Sequence, residues 1–138
     1  MSELSRFGVS IENNLLTKFD KLVSERGYVN RSEAIRDLIR KELVQQQIAE
    51  NKGDAVGTVT IVFNHHESEV TEHLTTVQHD FMNQIVSSTH VHLDHHNCLE
   101  VIIVKGPAID IRKIADRLIS LKGVKHGNLS MTTTGKIE

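Results

Sequence analysis

Cysteine occurs once, as Cys98, so the chain cannot close an internal disulfide and a reducing, cytoplasmic setting is expected. Tryptophan is absent, and proline and tyrosine occur once each. No internal repeat or low-complexity tract is present. No run of about 18 apolar residues exists, which excludes a membrane-spanning helix and predicts no membrane partner. The opening stretch MSELSRFGVSIENN lacks the basic and apolar regions of a secretory signal. Glycine-rich phosphate loops, H-E-x-x-H and C-x-x-C are all missing. A Cys98–His nucleophile pair would need an oxyanion site and a substrate cleft, and nothing signals either. The chain is therefore expected not to be an enzyme. Histidine is absent from residues 1–50, although nine occur in residues 51–138. That asymmetry divides the chain into two parts with different side-chain chemistry.

The 138 residues carry a formal net charge of −2, so the molecule as a whole is no polycation. Apolar residues make up 38% and charged residues 25%, ordinary for a globular protein with a modest core. AENKGDAVG (49–57) is polar, holds two glycines and separates two periodic regions, as a linker does. The expected limits are an N-terminal domain over 1–48, this linker, and a C-terminal domain over 58–138.

In the first part, RFGVSI (6–11) alternates, with Phe7, Val9 and Ile11 on one face and Arg6, Gly8 and Ser10 on the other. This predicts a half-buried strand. Leu15, Leu16, Phe19, Leu22 and Val23 then form one helical stripe, ended by Gly27. A second helix opens with Asn30 as N-cap and Glu33 three residues on, the capping-box spacing. A strand–helix–helix unit this short leaves unpaired strand edges and buries little surface alone. Dimerisation, with two strands pairing antiparallel over four helices, corrects both. Such a ribbon fits the major groove of B-DNA. Arg6, Gly8 and Ser10 would then face the bases. Asn30, Arg31 and Ser32 would offer the helix N-terminus to a phosphate. A plain dimerisation module is the alternative.

The second part reads as strand 58–63, helix 68–86, strands 88–94 and 98–106, helix 110–123 and strand 125–133. That order is a ferredoxin-like split βαβ, so the chain is expected to be α+β. The stretch THVHLDHHNCLE (89–100) holds four histidines, the cysteine and two acids. His90 and His92 are two apart on a strand and share a face, with Cα atoms about 6.7 Å apart. Val91 and Leu93 are expected to point the other way, toward the helices. Cys98 opens the return strand and brings its sulfur back toward His92. His79 lies nine residues after Val70, about 180° around a helix from it. It therefore faces away from its own sheet and would reach a metal held by a different chain. Such a donor set suits Ni(II) or Cu(II) in a square plane and Zn(II) in a tetrahedron, and spacing does not choose. Asp94, His95 and His96 read as solvated turn residues. His65, His66 and His73 read as surface groups, and His126 as a satisfied polar residue on a strand.

RFGVSIENNLLTKFDKLVSERGYVNRSEAIRDLIR resembles a ribbon-helix-helix DNA-binding domain, and its last fourteen residues match specifically. With HVHLDHHNCLEVIIVKG and SLKGVKHGNL behind it, the chain resembles the NikR family of nickel-responsive repressors over nearly its full length. The resemblance implies a homotetramer, with two ribbon-helix-helix dimers flanking four ferredoxin-like (ACT-type) domains. It implies one Ni(II) per subunit, square planar, held by His90, His92 and Cys98 of one subunit and His79 of another. It implies operator DNA as partner, with Arg6, Gly8 and Ser10 at the reading positions, and control of nickel-uptake genes. Gly8 departs from the polar residue expected there, so its base contact would be missing. A second cation at Glu33 and Asp37 is also implied. Two other readings stand beside this one. One is a zinc-dependent enzyme or metal carrier that uses the first part only to dimerise. The other is an antitoxin-like repressor with an incidental metal site.

Overall fold

A computed structural model describes residues 3–67 and 69–136. The chain forms two compact units, Met1–Lys41 and Glu42–Glu138, with helices α1 (Asn13–Glu25) and α2 (Arg31–Ala49) opening it.

In the first unit α1 and α2 are tied by their turn. Gly27, at φ 76°, lets the chain reverse at the end of α1. The Tyr28 amide donates to Val23 O at 3.0 Å and the Gly27 amide to Ser24 O at 3.1 Å, which satisfies the last carbonyls of the helix. Asn30 caps α2 as its position predicts, its Oδ1 accepting from the Glu33 amide at 2.8 Å. The Arg31 guanidinium grips both Asp20 oxygens at 2.8 Å, and the Tyr28 hydroxyl donates to Asp37. Val23 and Ala34 are buried.

Residues 3–12 form no strand, contrary to the half-buried strand expected over 6–11. Phe7 and Val9 are 70% and 65% exposed. The reason is physical: a lone extended segment has no neighbour to complete its hydrogen-bond ladder.

In the second unit the elements run β1 (Asp54–Asn64), α3 (Val70–Asp80), β2 (Ile85–His92), β3 (Asn97–Pro107), α4 (Ala108–Ile119) and β4 (Val124–Thr133). The sheet is antiparallel in the order β2-β3-β1-β4. This is the ferredoxin-like order expected from the element sequence. Because α2 continues through Ala49 and β1 opens at Asp54, regular structure occupies both ends of the 49–57 stretch.

Strand β1 alternates strictly in burial, and Val59, Ile61 and Phe63 face the helices. Val70, Leu74 and Val77 of α3, and Ile111, Ile114 and Leu118 of α4, pack on them. Each such aliphatic side chain contributes about 1.5–3 kcal/mol on full burial. Gly57 lets α4 come close, since a Cβ there would lie 2.5 Å from Ile111 Cγ2.

Helix α3 is shorter than its apolar periodicity suggested. It stops at Asp80. Residues 81–84 turn, with the Ile85 amide donating to Phe81 O at 3.1 Å. Ile85 begins β2 opposite Val104 rather than ending the helix. Phe81 still packs on the core, which is why its spacing looked helical.

Candidate metal centre

Strand register builds the site. In β2–β3 pairing His92 faces Cys98, Val91 faces Leu99 and His90 faces Glu100. In β1–β3 pairing Phe63 faces Cys98 and Ile61 faces Glu100. Directly opposed residues share a face. His90 and His92 therefore stand on the same side of the sheet as Phe63 and Ile61, the side the helices cover. Val91 and Leu93 point outward and are exposed. The expectation that Val91 and Leu93 pack toward the helices is thus corrected. Alternation was read properly, but which parity faces the core is set by Cys98 and its neighbours on β3, not by the hydropathy of β2.

Cys98 is fully buried. Its Sγ lies 3.3 Å from His92 Nδ1 and 3.2 Å from His65 Nδ1. Among the described residues these three form the group whose ligand atoms lie within 4.8 Å of one another. His90 stands beside it, with its ring 5.1 Å from that of His92 and 5.7 Å from that of Phe63. Two imidazoles on one ion have ring centres about 4.5–5.2 Å apart, given Zn–N near 2 Å. His90 thus lies next to the group, though its ring nitrogens are not among the atoms that converge there.

His65 was assigned to the surface from sequence. The fold brings it in because β1 ends at Asn64 and the chain then lies across the tip of the β2–β3 hairpin. The His65 amide donates to His96 O at 3.1 Å, and the His66 amide to Asn64 Oδ1 at 2.9 Å. One signal existed: His65 is two residues past core Phe63 and so continues its face. That signal has meaning only once β1 is known to lie beside β3. Burial pushes the His65 imidazole below its ordinary pKa, and the neighbouring histidines add to this.

Glu100 lies behind His90, 3.9 Å from its Nδ1, and accepts from Gln78 Nε2 at 3.2 Å. Burial raises its pKa, while His90 and Gln78 pull it back. At 3.9 Å the carboxylate stands beside the His90 imidazole without hydrogen-bonding it. His79 sits in the last turn of α3, exposed, while Val70 at the other end is buried. It points away from its own sheet, as its spacing indicated, and the chain does not bring it to Cys98.

The buried sulfur and two or three nearby imidazole nitrogens fit a borderline transition-metal ion; hard oxygen-seeking cations would prefer another shell. Glu33 is exposed near the start of α2. Asp37 accepts from Tyr28 and pairs with Lys41 at 3.3 Å. Of the remaining sequence candidates, Arg6, Gly8 and Ser10 are exposed on the extended segment 3–12, and Ser32 is exposed at the start of α2. Arg31 is engaged by Asp20, whose carboxyl it holds below the usual range by hydrogen bonding. Asn30 uses its side chain as a cap.

No helix among the described residues is long and apolar enough to cross a membrane. Residues 56–132 match the family described as the NikR C terminal nickel binding domain. Residues 5–46 match the ribbon-helix-helix proteins of the copG family. A protein of Thermococcus onnurineus described as a nickel-responsive regulator is 58% identical over 134 residues, covering 97% of each chain. Another so described, from Solibacter usitatus, is 58% identical over 135 residues, 98% of this chain and 97% of its own. A third, from Pyrococcus furiosus, is 60% identical over 131 residues, 95% of each. The chain belongs to the nickel-responsive regulator family, carrying a copG-type ribbon-helix-helix region ahead of a NikR C-terminal nickel-binding domain.

Proposed function

We propose that the protein is a repressor that grips operator DNA when Ni(II) fills its C-terminal centre, and that it controls nickel-uptake genes. The observation that carries this reading is the buried Cys98 thiol flanked by imidazoles, in a chain that also bears a ribbon-helix-helix region. A metal-responsive core joined to a DNA-reading module is a regulator, not a catalyst.

The N-terminal domain spans 1–48 and the C-terminal domain 58–138, joined by 49–57. Two copies pair through residues 6–11, giving Phe7 and Val9, exposed in the single chain, a shared apolar face. Arg6 and Ser10 then read base edges, and the start of α2 contacts phosphate. Pairs of dimers join through the C-terminal domains into a tetramer. His90, His92 and Cys98 hold Ni(II), one per subunit, and His79 of a second copy completes a square plane. This links metal occupancy to assembly. The metal changes DNA affinity only by as much as its own affinity differs between the DNA-competent and incompetent arrangements.

A second reading has direct geometric support. His65, His92 and Cys98 lie together within one chain, so His65 is a competing ligand. Alanine substitution separates the two. Loss of the thiolate-to-nickel absorption band in His79→Ala, with the band kept in His65→Ala, supports the intersubunit site; the reverse pattern supports the within-chain site. The function itself is tested by a gel shift on promoter DNA with Ni(II) and with EDTA. Binding that ignores EDTA rejects metal gating.

A further inference from the structure

The end of α3 carries ties that the Cys98 cluster does not explain. His79 lies in the last turn of that helix and is exposed. A helix frays at its ends, where local stability is lowest. With 11 residues, α3 is too short to hold itself in water without packing. Whatever fixes its last turn therefore fixes where the His79 imidazole stands.

Ties lie on both sides of His79. Gln78 donates to Glu100 of β3 at 3.2 Å, which fastens the turn inward to the sheet. On the other side Arg117, in the last turn of α4, reaches across. Its Nη2 donates to Asp80 Oδ2 at 3.4 Å. Its guanidinium carbon lies 5.2 Å from the centre of the Phe81 ring, and Phe81 packs against the core. One cation thus holds the two residues that directly follow His79. Asp80 is the last residue of α3. The C-terminus of a helix is the negative end of its dipole, where a carboxylate is unfavourable and a cation favourable. Without a cation beside it, Asp80 works against the turn that carries His79. The Arg117 guanidinium offsets that charge and stacks on the aromatic face, as a planar cation does. Its side chain and that of Asp80 are 48% and 46% exposed, so the ion pair alone is weak. The ring contact and the helix end add to it.

We propose that Arg117 is a positioning residue for nickel: it holds the end of α3 so that His79 meets the metal of a second copy in a fixed pose. This rests on the intersubunit site proposed above. Arg117 acts through Asp80 and Phe81, by ordering a donor and not by ligating. A donor already ordered loses less conformational freedom on binding than one on a frayed turn.

The test titrates the full-length protein with Ni(II) against a chromophoric chelator. Arg117→Ala should weaken nickel binding about three- to tenfold, the scale of one exposed cation–π contact plus one surface ion pair. Arg117→Lys should keep part of the affinity, since it retains the charge but not the planar stacking face. Asp80→Asn, added to Arg117→Ala, should restore part of it by removing the carboxylate from the helix end. His79→Ala should weaken nickel by itself, and adding Arg117→Ala to it should change nothing further, because Arg117 acts only through that imidazole. Unchanged affinity in His79→Ala means that the intersubunit reading has failed, and the positioning role falls with it. A loss in His79→Ala with none in Arg117→Ala rejects the positioning role alone. An equal loss from Arg117→Ala with and without His79 marks a general effect on the fold and rejects it as well.

Discussion

Single side chains decide most of the chemistry, and Cys98 has two jobs at once. It fills core volume against Phe63 and supplies the sulfur beside His92 and His65. Cys98→Ala should remove tight nickel binding, checked by equilibrium dialysis, and should also lower stability through the lost core contacts. His90→Ala should weaken nickel while leaving the melting temperature nearly unchanged, because its side chain is 39% exposed. Asp94 shows a different control. Its hydrogen bonds from the Asn97 side chain, then the His96 and Asn97 amides, lower its pKa from 3.8 to about 2. A depressed carboxylate stabilises the fold above its ordinary pKa and loses that contribution as pH falls through the folded one. The turn should therefore stay locked down to about pH 4 and loosen between there and about pH 2. Carboxyl carbon shifts of Asp94, followed by NMR, should titrate in that lower range; a midpoint near 4 would contradict the bonding. Legible in the sequence at this scale was that His90 and His92 share a face. Hidden was the approach of His65 to Cys98, which depends on a pairing between residues far apart in the chain.

Elements explain why those side chains arrive in register. A strand over 58–63 was legible, although β1 runs from Asp54 to Asn64, and so was the cap at Asn30 from its spacing to Glu33. The limits of α3 were not, because Phe81 and Ile85 keep contacting the core after the helix has ended. The 6–11 strand was read from a pattern that is real but has no ladder partner inside one chain. Close packing of α4 on β1 gives a direct test. Gly57→Ala would place a methyl 2.5 Å from the branched Cγ2 of fully buried Ile111. Overpacking of that kind costs about 1–3 kcal/mol, readable as a shift in the denaturation midpoint. Ile114→Ala on the same helix should cost about 2–5 kcal/mol by leaving a cavity. Unaltered midpoints would mean that α4 sits further from the sheet than described.

Across the whole molecule, the two compact units differ in chemistry: the first holds most of the ribbon-helix-helix match, and the second holds the histidines and the thiol. The N-terminal unit leaves Phe7, Val9 and Leu15 exposed, and these are the residues a paired copy would cover. Phe7→Ser should shift the sedimentation profile toward smaller species and abolish operator binding together. Arg6→Ala should leave assembly intact and cost about 1–3 kcal/mol of operator affinity, with relaxed specificity at one base. An unchanged titration would remove the ribbon from the reading surface.

The depth of the single thiol has a practical outcome. Since Cys98 is shut off from solvent at the end of the sheet, an alkylating reagent reaches it only when the hairpin breathes open. The labelling rate of the metal-free protein thus becomes a clock for that local opening. Any ion that clasps the sulfur should slow the clock, reporting occupancy without a spectroscopic handle.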